Sequence, residues 1–393
     1  MSRQQLVHKV KTIISMTLGG GVVFTALNIY KGSEKFYDDV LIPLTHSILG
    51  PEKAHEAVVF INKYRLLPRS HYKDPEILNS KFLNLQVPNP VGIAAGFDKH
   101  GESVLGLTDI GFGFVEIGSI TPKPQEGNPK PRVFRLPEDS AVINRYGFNS
   151  DGHDKVLERI EKLRNSDKFD GILGINLGKN KESDNPIDDY IQGIQKFGKY
   201  ASYFVINVSS PNTPGLRTLQ NEENLKVLLP AVISARNQLD VENKPPILLK
   251  LAPDLSQEER KSVASILKKR DCRIDGLIIS NTTIARNDLK SIHYKNETGG
   301  LSGRPLKEKS TQMIKEMYQL TNGQIPIIGA GGIFTGHDAY EKIRAGASLI
   351  QIYTSFIYHG PPRITRIKEE LQQLLEFDGF ENISQVVGID AKK

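Results

Sequence analysis

The stretch Tyr-Phe-Val-Ile-Asn-Val-Ser-Ser-Pro-Asn-Thr at residues 203–213 decides the fold. It predicts a strand over residues 203–208 and a loop over the serine, proline and asparagine residues that follow. Seven other apolar runs end in small or polar residues in the same way. They are residues 91–95, 114–117, 172–175, 247–249, 276–279, 325–328 and 349–352.

Eight such strands, mostly separated by helical patterns, predict an α/β fold of the (β/α)8 type, the TIM barrel. Continuous apolar strands are typical of a parallel sheet that is covered on both faces. A doubly wound open sheet would contain similar strands, but its binding site uses fewer strand ends. Polar residues after all eight strands favour the barrel and predict a site at their carboxyl ends.

Composition and charge limit the class of protein. A length of 393 residues exceeds the roughly 250 of a single barrel, so we expect appendages. The net charge of +6 suits an anionic substrate, a phosphate cofactor or an anionic membrane surface. A nucleic acid partner is not predicted, because the sequence has no dense stripe of lysine and arginine with interleaved aromatic residues. Cys272 is the one cysteine, which excludes an intrachain disulfide framework, and it is expected to be buried. A metal site is not predicted, because the strand ends carry no cluster of histidines or carboxylates.

Residues 1–31 predict a targeting and membrane-anchor segment. A basic stretch without acidic residues precedes residues 13–30, which carry no charge and are near the minimum length for crossing a bilayer. A basic leader before one apolar span is typical of an organellar anchor, and a buried helix of the globular part is the alternative.

Residues 32–70 predict a helical hairpin, since two apolar patterns of helical spacing are separated by Gly50-Pro51. Its apolar faces could close one face of the barrel domain, residues 71–393, or form a slot that is open to lipid. A short strand at residues 82–85, followed by a turn at 87–90, predicts a cover for the far end of the barrel.

A long insertion separates the second and third barrel strands and predicts a hairpin over residues 132–136 and 141–145. Ordered insertions at the catalytic end of a barrel are usually functional. Asn144 and Phe148 would supply an amide and an aromatic wall to the site, or would only cap the hairpin.

A glycine-rich run, residues 329–332, follows the seventh strand, where barrels usually bind phosphate. Glycine lets backbone N–H groups near a helix N-terminus approach a phosphate closely, and Gly303 would reinforce the site. Lys99 and Lys250 at strand ends indicate an anion in the mouth, because an unpaired buried lysine is costly. Ion pairs with Asp98 or Asp254 are the alternative.

Five asparagine amides are expected in one barrel mouth, and they suit a flat amide or imide heterocycle that also carries a carboxylate. A mouth with amides, lysines and a phosphate cradle needs a cofactor for the difficult step, and flavin mononucleotide (FMN) has one phosphate and a flat ring. Ser210 is the candidate proton acceptor, although a turn hydroxyl before Pro211 is the other interpretation. The amides meant are those of Asn144, Asn176, Asn207, Asn212 and Asn281.

Six motifs of the chain resemble those of class 2 dihydroorotate dehydrogenases, and the resemblance runs from about Phe36 to the C-terminus. They are Asn-Pro-Val-Gly-Ile-Ala-Ala-Gly-Phe-Asp-Lys (89–99), Glu-Ile-Gly-Ser-Ile-Thr-Pro-Lys-Pro-Gln-Glu-Gly-Asn-Pro (116–129), Asn-Arg-Tyr-Gly-Phe-Asn (144–149), Asn-Val-Ser-Ser-Pro-Asn-Thr (207–213), Ser-Asn-Thr-Thr (280–283) and Gly-Gly-Leu-Ser-Gly (299–303). The resemblance implies oxidation of (S)-dihydroorotate to orotate, the fourth step of de novo pyrimidine synthesis. It also implies FMN as cofactor, ubiquinone as oxidant and attachment to the lipid of the inner mitochondrial membrane. We expect the protein to be a monomer.

The resemblance implies roles for individual residues as well. Ser210 is the implied base. Implied substrate contacts are Lys99, Asn144, Arg145, Tyr146, Gly147, Phe148, Asn207, Asn212, Asn281 and Thr282. Implied FMN contacts are Ala95, Gly96, Lys99, Ser119, Asn176, Asn207, Lys250, Ser280, Gly303, Gly332, Tyr353 and Thr354. An implied quinone tunnel between hairpin and barrel involves Ile42, Thr45, His55, Val58, Arg135 and Tyr353.

Two other functions share part of this pattern. A membrane-tethered protein that holds a phosphorylated ligand without turnover would need the same phosphate site. A class 1 dihydroorotate dehydrogenase, which uses fumarate or NAD, would have a cysteine base and no helical leader. Ser210 and the apolar N-terminus argue against that class. From the residues alone, His55 is either a surface histidine or a functional one.

Overall fold

The computed structural model of the protein describes residues 3–392. Met1 and Ser2, with which the predicted anchor begins, and Lys393, with which the predicted barrel domain ends, lie outside the described residues. In chain order the strands are β1 Ser80–Phe82, β2 Leu85–Val87, β3 Val91–Ile93, β4 Phe114–Ile120, β5 Val133–Leu136, β6 Ala141–Asn144, β7 Ile172–Leu177, β8 Tyr203–Asn207, β9 Ile247–Leu251, β10 Gly276–Ile279, β11 Gly300–Gly303, β12 Ile327–Ala330 and β13 Ala347–Ile352.

The predicted (β/α)8 barrel is confirmed. Strands β3, β4, β7, β8, β9, β10, β12 and β13 pair in parallel in that order, and β13 pairs back onto β3 to close the cylinder. Each of the eight predicted apolar runs contributes one of these strands. The open-sheet alternative is therefore wrong.

Helices that follow the barrel strands pack around the barrel, and the helices between residues 3 and 63 precede the first barrel strand in the chain. Polar side chains start several of them, as in the capping boxes of Ser256 with Glu259 and of Thr335 with Asp338. The helices are α1 Arg3–Tyr30, α2 Glu34–Phe36, α3 Ile42–Ile48, α4 Pro51–Lys63, α5 Val104–Asp109, α6 Gly152–Arg164, α7 Pro186–Phe197, α8 Glu222–Asn237, α9 Gln257–Leu267, α10 Lys307–Leu320, α11 Gly336–Ala345, α12 Thr354–His359 and α13 Pro362–Phe377.

Alternate residues of the barrel strands enter two different cores. Phe204 and Ile206 of β8 belong to the large layer between strands and helices, where Cys272 is buried as predicted. Tyr203 and Val205 of the same strand face the barrel interior. This alternation follows from the two-residue period of a strand and explains why both faces are apolar.

The far end of the barrel is closed by the β1–β2 hairpin, whose Phe82 and Val87 belong to the interior core. The predicted cover is therefore present, but the predicted strand over residues 82–85 is wrong. Leu83, with φ of 57°, and Asn84 form the turn between two short strands. The apolar Leu83 concealed that turn.

The insertion between β4 and β7 contains the predicted hairpin, in which β5 pairs with β6. A third strand, β11, adds to the other edge of β6, with Gly300 opposite Asn144 and Gly303 opposite Ala141. The sequence did not predict this strand. It brings Gly303 from a distant part of the chain to the edge of the barrel mouth, which we define as the loops at the carboxyl ends of the barrel strands.

The helical hairpin, residues 34–63, contains α2, one π-helical turn over Tyr37–Leu41, α3 and α4. Its inner side chains, including Ile42 and Val58, line a cavity that is shared with the barrel. Its outer side chains remain in solvent, with Ile48 70% exposed and Phe60 58% exposed. The hairpin therefore covers the barrel on one side and presents a large apolar surface on the other.

The N-terminal helix α1 has no buried residue, so the alternative of a buried core helix is wrong. Of the described residues, this helix alone is long and apolar enough to cross a membrane. Near its C-terminal end, Phe24 packs edge-on against Phe36, with ring centroids 5.8 Å apart.

We predict that deletion of residues 1–31 leaves the rest of the chain folded, because α1 contributes no buried side chain. The midpoint of thermal unfolding in detergent should change by no more than about 3 °C. Deletion of residues 1–50 is the matched control. It removes Phe36 and Tyr37, which are buried, and should lower the midpoint clearly; equal losses in both deletions would contradict the prediction.

Candidate active site

One cavity of about 510 Å³ extends from the barrel mouth to the helical hairpin. Its volume is in the range of small-molecule sites, roughly 300–1,000 Å³. The barrel end is polar, with Lys99, Asn207 and Lys250 in its wall, whereas the hairpin end is apolar, with Ile42 and Val58. A single cavity therefore combines two different environments.

Most of the predicted site residues line this cavity. From the predicted substrate set they are Lys99, Asn144, Tyr146, Gly147, Phe148, Asn207, Asn212, Asn281 and Thr282, together with Ser210. From the predicted FMN set they are Ala95, Gly96, Lys99, Ser119, Asn207, Lys250, Ser280, Gly303, Gly332, Tyr353 and Thr354. From the predicted quinone set they are Ile42, Thr45, His55, Val58, Arg135 and Tyr353.

Arg145 and Asn176 do not line the cavity. The guanidinium of Arg145 pairs with Glu297 at 2.5 Å and stacks over the ring of Phe134. Asn176 lies beneath the cavity wall, where its Oδ1 accepts hydrogen bonds from Ser119 and Asn207. It supports two residues that line the cavity.

A buried carboxylate, Glu116, lies under the floor of the barrel end. It accepts hydrogen bonds from Asn176 at 2.9 Å, Tyr203 at 3.2 Å and Gln351 at 2.5 Å, and its Oε1 lies 3.9 Å from Nζ of Lys250. Burial lowers the pKa of Lys250, and the charge of Glu116 opposes that effect. The ion-pair alternative, in which Asp254 is the partner of Lys250, is therefore wrong, because the carboxylate beside Lys250 is that of Glu116.

Glu116 and Gln351 were not predicted as site residues. Both interrupt apolar strands, β4 and β13, in which the neighbouring residues are buried. A charge or amide within a continuous apolar strand is costly unless it is paired. A polar residue within an apolar strand is thus the signal from which this buried network could have been predicted.

In the part of the chain that the structure describes, Lys99, unlike Lys250, forms no ion pair with a carboxylate. Its Nζ donates to the carbonyl oxygen of Gly96 at 2.8 Å and lies 3.6 Å from the ring centroid of Tyr146. Desolvation, and then the charge of Arg132, lower the pKa of Lys99 to about 7. Asp98 instead accepts from backbone N–H groups, so the predicted ion-pair alternative is wrong. The amine is therefore available to an anion.

The asparagine amides orient one another at the barrel end. Asn207 donates to Ser119 at 2.8 Å, and Asn212 donates to Asn144 at 3.3 Å. Asn281 donates to the hydroxyl of Ser209 at 2.9 Å. Because each amide has a neighbour that fixes its rotation, their remaining donors and acceptors have defined directions.

Ser210 lines the cavity and is nearly buried, with 6% exposure. Its Oγ accepts from the backbone N–H of Asn212 at 3.3 Å, so the interpretation as a turn hydroxyl is also correct. That contact uses one lone pair of the oxygen. The hydroxyl hydrogen and a second lone pair are left for a ligand in the cavity.

Glycines of two loops form a cradle at one edge of the barrel end. Gly332 has φ of 72°, and a Cβ atom added there would lie 2.5 Å from the Cα of Lys307, the first residue of α10. At Gly303, with φ of 106°, an added Cβ would lie 2.3 Å from the carbonyl oxygen of Ser140. Backbone N–H groups beside a helix N-terminus are a phosphate site.

His55 lies at the junction between the two ends of the cavity. Its Nε2 contacts the carbonyl oxygen of Phe97 at 2.6 Å, and its Nδ1 contacts the hydroxyl of Tyr146 at 3.2 Å. Since a carbonyl can only accept, Nε2 carries the hydrogen and Nδ1 accepts from the tyrosine. Desolvation and the charge of Lys99 lower the pKa of His55 to about 3, so it is neutral. The surface-histidine interpretation is wrong.

Arg135 supplies positive charge at the hairpin end. Its Nη2 donates to the carbonyl oxygens of His46 and Leu49, at 3.1 and 2.6 Å, and so holds the end of α3. Its Nη1 is buried and has no partner among residues 3–392. An unpaired buried donor in a cavity wall favours a ligand with an acceptor oxygen.

A family model of dihydroorotate dehydrogenase matches residues 77–375. The chain belongs to the dihydroorotate dehydrogenase family. This family oxidises dihydroorotate in pyrimidine biosynthesis, and its members are flavin-dependent oxidoreductases in general. The resemblance carried by the sequence motifs is thus confirmed.

Two similar proteins carry names that specify quinone. A Mus musculus protein named mitochondrial dihydroorotate dehydrogenase (quinone) is 50% identical over 379 residues, or 95% of each chain. A protein of the same name from Oryza sativa subsp. japonica is 46% identical, over 95% of this chain and 84% of that one. The crystal structure of an Eimeria tenella dihydroorotate dehydrogenase in complex with ferulenol has a TM-score of 0.85 and 44% identity, over 89% of this chain and 99% of that one.

The residues of the cavity fit the flavin that dihydroorotate dehydrogenases use. Gly303 and Gly332 line the cavity with backbone alone, since an added Cβ atom at either would collide with the backbone of Ser140 or Lys307. Lys250 is a buried cation whose nearest carboxylate, Glu116, is 3.9 Å away, so its charge also acts toward the cavity that it lines.

We predict that Glu116→Gln lowers the free energy of unfolding by about 3 kcal/mol, because it leaves Lys250 buried without its counterion. Equilibrium denaturation in urea measures the change. Glu138→Gln, at an exposed carboxylate, is the control and should change the free energy by less than about 0.5 kcal/mol. Adding Lys250→Met to Glu116→Gln should recover part of the loss. A single variant as stable as the wild type would rule out this charge balance.

Proposed function

We propose that this protein oxidises (S)-dihydroorotate to orotate with FMN held in the barrel mouth, and that ubiquinone reoxidises the flavin through the helical hairpin. We also propose that it acts as a monomer at the inner mitochondrial membrane, attached to lipid by the anchor segment, residues 1–31. The relatives named as mitochondrial and the apolar helix α1 support that location.

One observation carries the proposal: the polar barrel end and the apolar hairpin end belong to the same cavity. A water-soluble acid and a lipid-soluble oxidant need different surroundings, and both must reach one redox group. A cavity that changes from amides and lysines to aliphatic side chains meets both needs.

The barrel end would bind and orient dihydroorotate. The Lys99 ammonium would pair with the substrate carboxylate, and the amides of Asn144, Asn212 and Asn281 would pair with its ring N–H and C=O groups. Ser210 would take a proton from a ring carbon. A serine hydroxyl is a weak base, so the aligned amides and the exclusion of water must assist it.

When bound, FMN supplies the acceptor for the hydride that leaves the substrate. Gly303 and Gly332 would hold its phosphate, and Ser119, Asn207 and Tyr353 would border its ring. Lys250 would place positive charge beside the ring and favour the extra electron density of the reduced state.

The hairpin end would accept ubiquinone. Ile42 and Val58 would contact its apolar parts, and the unpaired Nη1 of Arg135 would donate a hydrogen bond to one of its oxygens or to water beside it. His55 would border the quinone without donating to it, because its one N–H is held by the carbonyl oxygen of Phe97. The outer apolar surface of the hairpin would lie against lipid, from which the quinone would enter.

Anaerobic mixing tests the proposed function directly. Purified protein should show flavin absorbance, dihydroorotate should bleach it, and a short-chain ubiquinone should restore it, whereas fumarate should not. Restoration by fumarate instead of quinone would indicate a class 1 activity. Flavin absorbance that dihydroorotate leaves unchanged would favour the binding protein without turnover.

We predict that Ser210→Ala keeps bound flavin but slows its reduction by dihydroorotate at neutral pH by about 100-fold or more, the usual contribution of a positioned base. Stopped-flow absorbance measures this step. Reoxidation of chemically reduced flavin by quinone is the internal control and should be unchanged. A normal rate of reduction would remove Ser210 from the role of base.

A further inference from the structure

Arg217 joins three loops of the barrel mouth through one guanidinium. Its Nε donates to the carbonyl oxygen of Ser209 at 3.0 Å, in the loop after β8. Its Nη1 donates to Oδ2 of Asp254 at 2.9 Å, after β9, and its Nη2 donates to the carbonyl oxygen of Thr282 at 2.9 Å, after β10. Each bond reaches a different loop, so the planar group sets the spacing among them.

Asp254 extends this connection to the far side of the third loop. Its Oδ1 accepts from the hydroxyl of Thr283 at 2.5 Å and from Lys309 at 2.6 Å, and its Oδ2 also accepts from the N–H of Ile284 at 3.0 Å. The carboxylate therefore fixes both the guanidinium and the backbone just after Thr282. Both groups are largely enclosed, with side-chain exposures of 22% for Arg217 and 15% for Asp254.

The loop that Arg217 holds carries Ser210 and Asn212. Two hydrogen bonds join Asn212 to the neighbouring insertion, one to Asn144 and one from Asn128. Each is 3.3 Å long, which is longer than the bonds of 2.9 to 3.0 Å that Arg217 makes. Ser210 follows directly after the carbonyl to which Arg217 donates. A shift of that carbonyl would therefore move the hydroxyl of Ser210 relative to Asn281 and Thr282, on the loop opposite.

We propose that Arg217 is a positioning residue for the step in which substrate reduces the flavin, since it keeps the Ser210 loop and the Asn281–Thr282 loop at the spacing that the proton transfer requires. This inference rests on the proposed function. Arg217 does not line the cavity, so it acts through these loops. A misplacement of about 1 Å at reacting groups costs on the order of 100-fold in rate.

The test compares Arg217→Gln and Arg217→Lys with a matched control, Arg236→Gln. Arg236 makes an equally short ion pair, 2.9 Å to Asp275, and its side chain is also largely buried, but it lies next to the amino-terminal ends of β9 and β10. All variants are full-length, flavin-loaded proteins. The control reports the effect of losing an arginine–aspartate pair that does not touch the mouth.

Two half-reactions are measured by stopped-flow absorbance at saturating substrate. We expect Arg217→Gln to slow flavin reduction by dihydroorotate about 100-fold and to leave reoxidation of chemically reduced flavin by a short-chain quinone unchanged. Arg217→Lys should be nearly as slow, because an ammonium keeps the charge but cannot bridge three loops. Arg236→Gln should match the wild type in both steps.

Hydrogen–deuterium exchange without dihydroorotate gives a readout that does not depend on turnover. Exchange should rise in residues 209–216 and 281–284 of Arg217→Gln, and should not rise there in Arg236→Gln. A normal rate of reduction, or equal slowing of both half-reactions, would overturn the inference. If dihydroorotate fails to reduce the wild-type flavin, the proposed function falls, and the exchange data still decide whether Arg217 orders the two loops.

Discussion

The hydrogen bonds between β13 and β3 are the constraint on which the site depends, because they convert a sheet into a cylinder. All eight parallel strands then end on one rim, and residues from distant parts of the chain meet there. Tyr353 donates to the carbonyl oxygen of Gly96 at 3.3 Å, although β3 is the first barrel strand and β13 the last. An open sheet of the same strands would separate these two residues and divide the glycine cradle from Lys99.

Closure of the barrel also creates a buried interior, and two charged side chains, Glu116 and Lys250, lie in it. Glu116 lies within that interior, where an isolated carboxylate would be strongly unfavourable. Three side-chain donors and Lys250 satisfy it, and they come from four different strands, β7, β8, β9 and β13. The network therefore orders the barrel end from below, while the loops order it from above. Breaking one partner exposes the others to the full cost of burial.

Much of the fold and of the cavity could be predicted from sequence, because apolar strands with polar ends report directly on burial. The eight strands, the insertion hairpin and the helical hairpin were predicted for this reason. Two features were missed: a strand that depends on a partner distant in sequence, and a turn whose first residue is apolar. The short strand Gly300–Gly303 has no apolar pattern and exists only because β6 offers an edge, and the turn at Leu83 contradicts its apolar side chain. The substrate contact that its motif implies for Arg145 stays a prediction, since the guanidinium pairs with Glu297 outside the cavity wall.

The two imidazoles in the cavity wall, His46 and His55, remain uncharged in ordinary buffers. Burial and the neighbouring charges of Arg135 and Lys99 lower their pKa values to about 4 and about 3. The two imidazoles thus keep one charge state between about pH 5 and pH 8. Lys99, at the opposite end, has a pKa of about 7 and changes its charge in that interval. Under the proposed function, pH would therefore act on the binding of the substrate acid at Lys99 and not on the imidazoles beside the quinone.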